Sequence, residues 1–148
     1  MPSSKISIVI PVYNAFETLE ELVSQCEKNI KNITQDFEII LIDDYSNDKS
    51  WEKIKNISKK NIFVKGLKLI RNFGVDTAIT EGLKQSSGDY IYIVTCDLTD
   101  PLNEMFTMFD KISNNNELDI VCSYYKNKHP ESFMSKFFSK IYWKFFSF

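Results

Sequence analysis

Short apolar runs alternate with helical periods along the chain. "ISIVIPV" (Ile6–Val12) and "FEIILID" (Phe37–Asp43) are nearly continuous apolar runs, the pattern of strands buried on both faces. "KGLKLI" (Lys65–Ile70), "DYIYIV" (Asp89–Val94) and "LDIVCSY" (Leu118–Tyr124) predict three more strands. Between them apolar residues return at helical spacing. Leu19, Leu22, Val23, Cys26 and Ile30 predict a first helix, and Trp51, Ile54 and Ile57 a second. Val75, Ala78, Ile79, Gly82 and Leu83 predict a third, and Met105, Phe106, Phe109 and Ile112 a fourth. Strict alternation of strand and helix predicts an α/β fold: three layers, α/β/α, around a mostly parallel sheet.

The last segment breaks this rhythm. "ESFMSKFFSKIYWKFFSF" (Glu131–Phe148) is aromatic and basic. Wound as a helix, it lines Phe137, Ile141, Phe145 and Phe148 on one side with Met134 and Phe138. Lys136, Lys140 and Lys144 fall on another side. The chain therefore divides into a folded unit, 1–130, and an amphipathic helix, 131–148. Three readings of that helix stay open: core packing, contact with an anionic membrane surface with Tyr142 and Trp143 at its boundary, and a homodimer interface.

Composition narrows the chemistry. With 148 residues the chain is one domain with room for a core. A formal net charge of −2 gives no electrostatic basis for binding nucleic acid. There are 4 glycines and neither GxGxxG nor GxxxxGK[ST], so a glycine-rich phosphate loop is not expected. Cys26, Cys96 and Cys122 are odd in number and widely spaced, which points to a reducing compartment. The first residues hold too short an apolar run for a signal peptide, and no stretch approaches the ~20 apolar residues of a membrane span.

In open parallel sheets, ligands bind beyond the carboxyl ends of the strands. Four consecutive strand ends here are polar. The first carries Pro11, Tyr13 and Asn14, with Glu17 soon after; the second carries Asp43, Asp44, Ser46 and Asp48. The third carries Arg71, Asn72 and Gly74, and the fourth Thr95, Cys96, Asp97, Thr99 and Asp100. Each has an ordinary explanation: Asp48 as a helix cap, Asp100-Pro101 as a helix start, Asn72-Phe73-Gly74 as a turn. Four at one edge argue for a site. Asp43 and Asp44 can accept hydrogen bonds from a base N–H or ribose hydroxyls. Arg71 can pair with phosphate oxygens or hold the aspartate pair. Asp97 is a hard oxygen ligand for Mg²⁺ or Mn²⁺, which share substrate phosphates. A phospho-acceptor signalling domain fits poorly, because its acidic pair should follow the first strand. A dinucleotide oxidoreductase lacks its glycine fingerprint.

The order "SIVIPVYNAFETL", "IILIDDYSNDKSW", "LIRNFGVDTAITEGLKQSSGDYIYIVTCDLTDP" resembles the family 2 glycosyltransferases of GT-A, Rossmann-like fold. It is most similar to the polyprenyl-phosphate sugar transferases, over about Lys5 to Pro101. The resemblance implies a nucleotide-diphosphate sugar donor, inversion at the anomeric carbon, and Mg²⁺ or Mn²⁺. It further implies a polyprenyl-phosphate acceptor, cell-envelope glycan synthesis, and a cytoplasmic protein peripheral at the inner face of the membrane. By position, Pro11, Tyr13, Asn14, Glu17, Asp43, Asp44, Arg71 and Cys96 would line the nucleotide, and Asp97, Thr99 and Thr95 the metal. No catalytic base is identified. The chain departs from the family pattern D-A-D-L-Q-D-P at Thr95, where the first acid is expected. It also has Tyr45 where glycine is common and Tyr125 where arginine is usual, and it is C-terminally short. These departures support an alternative: a non-catalytic or truncated GT-A domain acting as a nucleotide-binding or scaffold module.

Overall fold

The computed structural model describes residues 4–123. Strand β1 (Ile6–Val12) is followed by helix α1 (Leu19–Ile30), β2 (Phe37–Asp43), α2 (Ser50–Lys60) and β3 (Val64–Lys68). Helix α3 (Val75–Gln85), β4 (Tyr90–Ile93), a 3₁₀ turn (Leu102–Glu104) and α4 (Met105–Ser113) complete it. The four strands form one parallel sheet in the order β3-β2-β1-β4. Every residue of β1 and β2 is buried, as their nearly continuous apolar runs predict. Their ladder runs from Ile6↔Phe37 to Val12↔Asp43.

The two faces of the sheet are covered unequally. Ile8, Ile10, Val12, Ile39 and Leu41 pack with Leu19, Leu22 and Cys26 of α1, Ile54 of α2 and Met105 of α4. On the other face Val9, Ile40 and Ile42 pack with Ala78 of α3. Gly82 lets α3 approach closely. A Cβ there would collide with the Val9 side chain and lie 2.7 Å from Cδ1 of Ile42. The three-layer arrangement is therefore present, with α3 the one described helix on its face.

The predicted ends shift at β3 and β4. The third strand begins one residue earlier and stops at Lys68, and the fourth spans Tyr90–Ile93 only. The predicted fifth strand does not form over residues 118–123, and Tyr124 lies outside the described residues. Leu118, Ile120 and Cys122 alternate as a strand requires, but alternation makes a strand only where a neighbour completes the ladder. Here the chain turns instead, with Leu118 N–H donating to Asn115 O at 3.1 Å, and Ile120 is 76% exposed. The segment 131–148 also lies outside the described residues. Among the described residues no helix is long and apolar enough to cross a membrane.

A polar lock closes the amino end of the sheet. Glu38, 4% exposed, accepts from Ser7 Oγ at 2.8 Å and from Ser87 N and Oγ at 2.8 and 2.7 Å. It also pairs with Lys65 Nζ at 2.5 Å. Burial pushes the Glu38 carboxyl up, but Lys65 and the serine hydrogen bonds outweigh it and bring it down from 4.5 to about 2. A carboxyl lowered on folding stabilises the fold above its unfolded pKa.

Two outcomes are expected. Stability measured by urea titration should fall as pH drops from about 4.5 towards 2, and Glu38→Gln should flatten that fall while costing roughly 1–3 kcal/mol near neutral pH. Gly82→Ala should lower stability by roughly 1–3 kcal/mol, because neither Val9 nor Ile42 can withdraw from a filled core. A midpoint equal to that of the unsubstituted chain would contradict the close approach of α3.

Candidate nucleotide-sugar site

Strand order places the site. Connections from β1 run through β2 to β3 on one side, while β4 lies on the other side of β1. The carboxyl ends of β1 and β4 thus flank a topological switch point, where open α/β sheets leave a crevice. All four residues of positive φ among the described residues lie at this edge: Asn14 (52°), Tyr45 (60°), Gly74 (91°) and Leu98 (62°). Three are not glycine, and such backbone is held only where surrounding contacts enforce it.

Hydrogen bonds lace the loops after β1 and β2 together. Asn14 N–H donates to Ser46 Oγ at 3.0 Å, and Asn47 N–H donates to Asn14 Oδ1 at 2.8 Å. Ala15 N–H donates to Ser50 Oγ at 2.9 Å, and Phe16 N–H to Asp48 Oδ2 at 3.2 Å. Asp48 Oδ1 accepts from Ser50 N–H at 2.9 Å, so this residue, just ahead of the N-cap Lys49, takes the first amide of α2 and braces the neighbouring loop at once. Thr18 Oγ1 donates to the Cys96 carbonyl at 2.7 Å and ties in the loop after β4. A cavity of about 510 Å³ lies between the first two loops, lined by Asn14, Phe16, Glu17, Asn47 and Lys49 among others. Its lining excludes Asp43, Asp44, Arg71 and Asp97, so it forms one flank of the crevice rather than its acidic centre.

The two aspartates after β2 are used differently. Asp44, 3% exposed, accepts from Phe73 N–H through Oδ1 and from Gly74 N–H through Oδ2, both at 2.8 Å. It therefore clamps the "RNFG" loop. Arg71 does not hold the aspartate pair; its guanidinium stacks on the Phe73 ring, 4.5 Å from the centroid. Asp43 is fully buried and its Oδ1 accepts from Ser46 N–H at 3.2 Å. Its Oδ2 has no hydrogen-bond donor, and the Lys68 ammonium stands 3.8 Å away. Leaving a buried carboxylate oxygen without a donor costs about 1–3 kcal/mol, and such an atom invites a ligand N–H. Tyr13 is exposed, and its hydroxyl takes a 3.4 Å hydrogen bond from Asn47. Pro11 is buried within β1, paired with Ile42, and reaches the site through the backbone it shapes.

After β4, Thr95 donates rather than leaving a gap. Its hydroxyl lies 2.8 Å from both Asp97 Oδ1 and Asp100 Oδ2, and its N–H reaches Asp100 Oδ2 at 2.6 Å. One hydroxyl proton serves one carboxylate at a time. Asp97 Oδ1 also accepts from Thr99 N–H at 3.1 Å and Thr99 Oγ1 at 2.7 Å. Hydrogen bonds from the Thr99 and Thr95 hydroxyls hold the Asp97 carboxyl below the usual carboxylate range. The described residues contain no cluster of three acidic, histidine or cysteine side chains of metal-holding geometry. A Mg²⁺ or Mn²⁺ that shares substrate phosphates needs only one or two carboxylates. Asp97, with Thr95 and Thr99 oxygens beside it, fits that lesser requirement.

Strand-end position pointed to Asp43, Asp44, Arg71 and Asp97. It missed Asn47, which laces two loops, and Lys68, which lies opposite Asp43 in the ladder. Only the β2–β3 register brings Lys68 into view. Asp44→Asn should speed amide hydrogen exchange at Phe73 and Gly74 at least tenfold, since an amide group offers one acceptor where the carboxylate gives two. Unchanged exchange would contradict the clamp.

Comparison with known proteins bears on the family and the fold. Residues 7–146 match the family described as glycosyl transferase family 2. A dolichol-phosphate mannosyltransferase of Pyrococcus furiosus is 33% identical over 92% of this chain and 38% of its own length. An undecaprenyl-phosphate 4-deoxy-4-formamido-L-arabinose transferase of Proteus mirabilis is 37% identical over 69% of this chain and 32% of its own. The chain thus spans about a third of the length of the curated relatives it matches. Among solved structures, S. aureus TarS 1–349 in complex with UDP-GlcNAc superposes with a TM-score of 0.55 at 23% identity, over 72% of this chain and 31% of that one. The mannosyltransferase PcManGT of Pyrobaculum calidifontis, in complex with GDP-Man and Mn²⁺, gives 0.61 at 15%, over 70% and 30%. The solved structures share the GT-A fold, and the match over residues 7–146 establishes that the chain belongs to glycosyl transferase family 2.

Proposed function

We propose that this chain is the nucleotide-sugar-binding part of an inverting transferase. It would move a sugar from a nucleotide-diphosphate donor to a polyprenyl phosphate in cell-envelope glycan synthesis. The observation that carries the reading is the switch point between β1 and β4, with acids at the end of β2 on the base side and Asp97 in the loop after β4 on the metal side. GDP-Man and UDP-GlcNAc bound in the two solved neighbours, and the dolichol and undecaprenyl phosphates in the names of the curated relatives, support it.

Each side chain has a role. The free Asp43 oxygen accepts a base N–H, while Tyr13, Asn14, Glu17 and the loop at Cys96 line the nucleoside. Arg71 balances the charge of the diphosphate. Asp97, with Thr99 and Thr95, would hold a Mg²⁺ or Mn²⁺, which supplies charge neutralisation to the departing diphosphate. The sugar's bond to the diphosphate breaks as its anomeric carbon joins an acceptor phosphate oxygen. That oxygen is already ionised, so the chain needs no general base. The protein would work on the cytoplasmic side, peripheral to the membrane through residues 131–148 or dimeric through them; both ideas concern residues outside those described.

The second reading, a non-catalytic nucleotide-binding or scaffold module, is favoured by Thr95. Its hydroxyl is shared between Asp97 and Asp100, and as a neutral group in place of the expected acid it leaves the proposed metal corner one formal charge short.

Calorimetry with UDP, GDP and their sugars plus Mn²⁺ tests the first reading, with micromolar to millimolar binding expected. No heat from any of them, in a sample folded by circular dichroism, would sink it. Transfer of radiolabelled sugar to a polyprenyl phosphate would exclude the scaffold reading. Thr95→Asp should raise Mn²⁺ affinity about tenfold by adding a carboxylate ligand. It should also lower the melting temperature in EDTA, because three carboxylates would then crowd together. Equal Mn²⁺ affinity would contradict the role given to Thr95.

A further inference from the structure

Lys68 is the residue the nucleotide reading leaves unused. It ends β3 directly opposite Asp43, and paired residues in parallel strands project to the same face. Its ammonium lies 3.8 Å from Asp43 Oδ2, 5.4 Å from the Tyr45 ring centre and 5.9 Å from the Trp51 ring centre. The distance to Asp43 is too long for a hydrogen bond. The ammonium is thus held by charge and by aromatic faces rather than by a fixed donor contact, and its side chain is about a third exposed. Asp43 Oδ2 is fully buried and has no hydrogen bond. Tyr45, beside both, is 47% exposed on a backbone of φ 60°, where a bulky residue is uncommon.

This is an acceptor, a donor and an aromatic face in one corner. A carboxylate oxygen takes a ring N–H, an ammonium gives to an adjacent carbonyl oxygen, and a phenol ring stacks on the base. Given the nucleotide reading above, we propose that Lys68 selects the base, admitting bases whose ring N–H stands beside a carbonyl, while Tyr45 stacks on whichever base enters. Uracil and guanine have that edge. Cytosine has an unprotonated ring nitrogen there, and adenine has neither the N–H nor the carbonyl. On binding, the Lys68 side chain swings off Asp43 Oδ2, the base N–H takes its place, and the ammonium moves to the carbonyl. Trp51 supports the lysine stem and keeps the charge at the rim.

Binding of UDP, GDP, CDP and ADP to the full chain with Mn²⁺, by calorimetry, tests this, repeated on Lys68→Met, Lys68→Arg and Tyr45→Gly. The unsubstituted chain should bind UDP or GDP at least about tenfold tighter than CDP and ADP, the worth of one charge-assisted hydrogen bond. Lys68→Met keeps the apolar stem. It should lose that preference by weakening UDP and GDP alone, and Lys68→Arg should restore most of it. Tyr45→Gly should relieve the backbone and weaken all four nucleotides alike, since stacking ignores the base edge. Binding without base preference, a preference for CDP or ADP, or a preference that survives in Lys68→Met overturns the role of Lys68 and leaves the nucleotide reading standing. Tighter or unchanged binding by Tyr45→Gly overturns the stacking role. No binding by any nucleotide overturns both readings.

Discussion

Everything at the site depends on the β1–β2 ladder. Seven residues of each strand are buried, and their pairing ends at Val12↔Asp43. Burial of so many branched apolar side chains, each worth roughly 1.5–3 kcal/mol, makes this pair the rigid centre of the sheet. A slip of one residue would turn every side chain to the other face. The register therefore decides that Asp43 is buried at the rim while Asp44, the next residue, turns to the "RNFG" loop. Two adjacent carboxylates acquire separate tasks because the strand ends between them.

From that frame the loops take their shape. Where the sheet stops, backbone N–H groups lose their ladder partners and must find others. Ser46, Asp48, Ser50, Asn14 and Asp44 supply them, and the loops after β1, β2 and β3 become one hydrogen-bonded rim. The residues that build the rim are short and polar. The same residue types suit nucleotide recognition, so structural and functional readings of these stretches coincide instead of competing. Asp48 shows this, as it takes the first amide of α2 and braces the β1 loop together.

The sequence made the architecture legible where burial is two-sided. β1 and β2 match their predicted bounds, because a strand covered on both faces is apolar along nearly all its length. β3 and β4 lie toward the sheet edges, carry alternating exposure, and shift at their ends. Residues 118–123 show the limit of pattern: they alternate correctly and make no ladder. The candidate site was legible as a row of polar strand ends. Its finer logic was not. Lys68 sits in an apolar-polar alternation that gives no hint of its ladder partner. Thr95 reads as a missing acid, whereas the structure shows a donor whose N–H reaches Asp100 while its hydroxyl lies within reach of both Asp97 and Asp100. The hydroxyl brings no charge where an acid is expected, yet it orders the loop after β4.

On the proposed function, the crevice beside β1 holds a nucleotide diphosphate across the switch point. A crystal structure of the chain with UDP or GDP and Mn²⁺ tests this most directly. The base edge should lie within hydrogen-bond reach of Asp43 Oδ2, with Mn²⁺ density beside Asp97, bridging to the diphosphate. Nucleotide density elsewhere on the molecule, with Asp43 Oδ2 still without a donor, would contradict it.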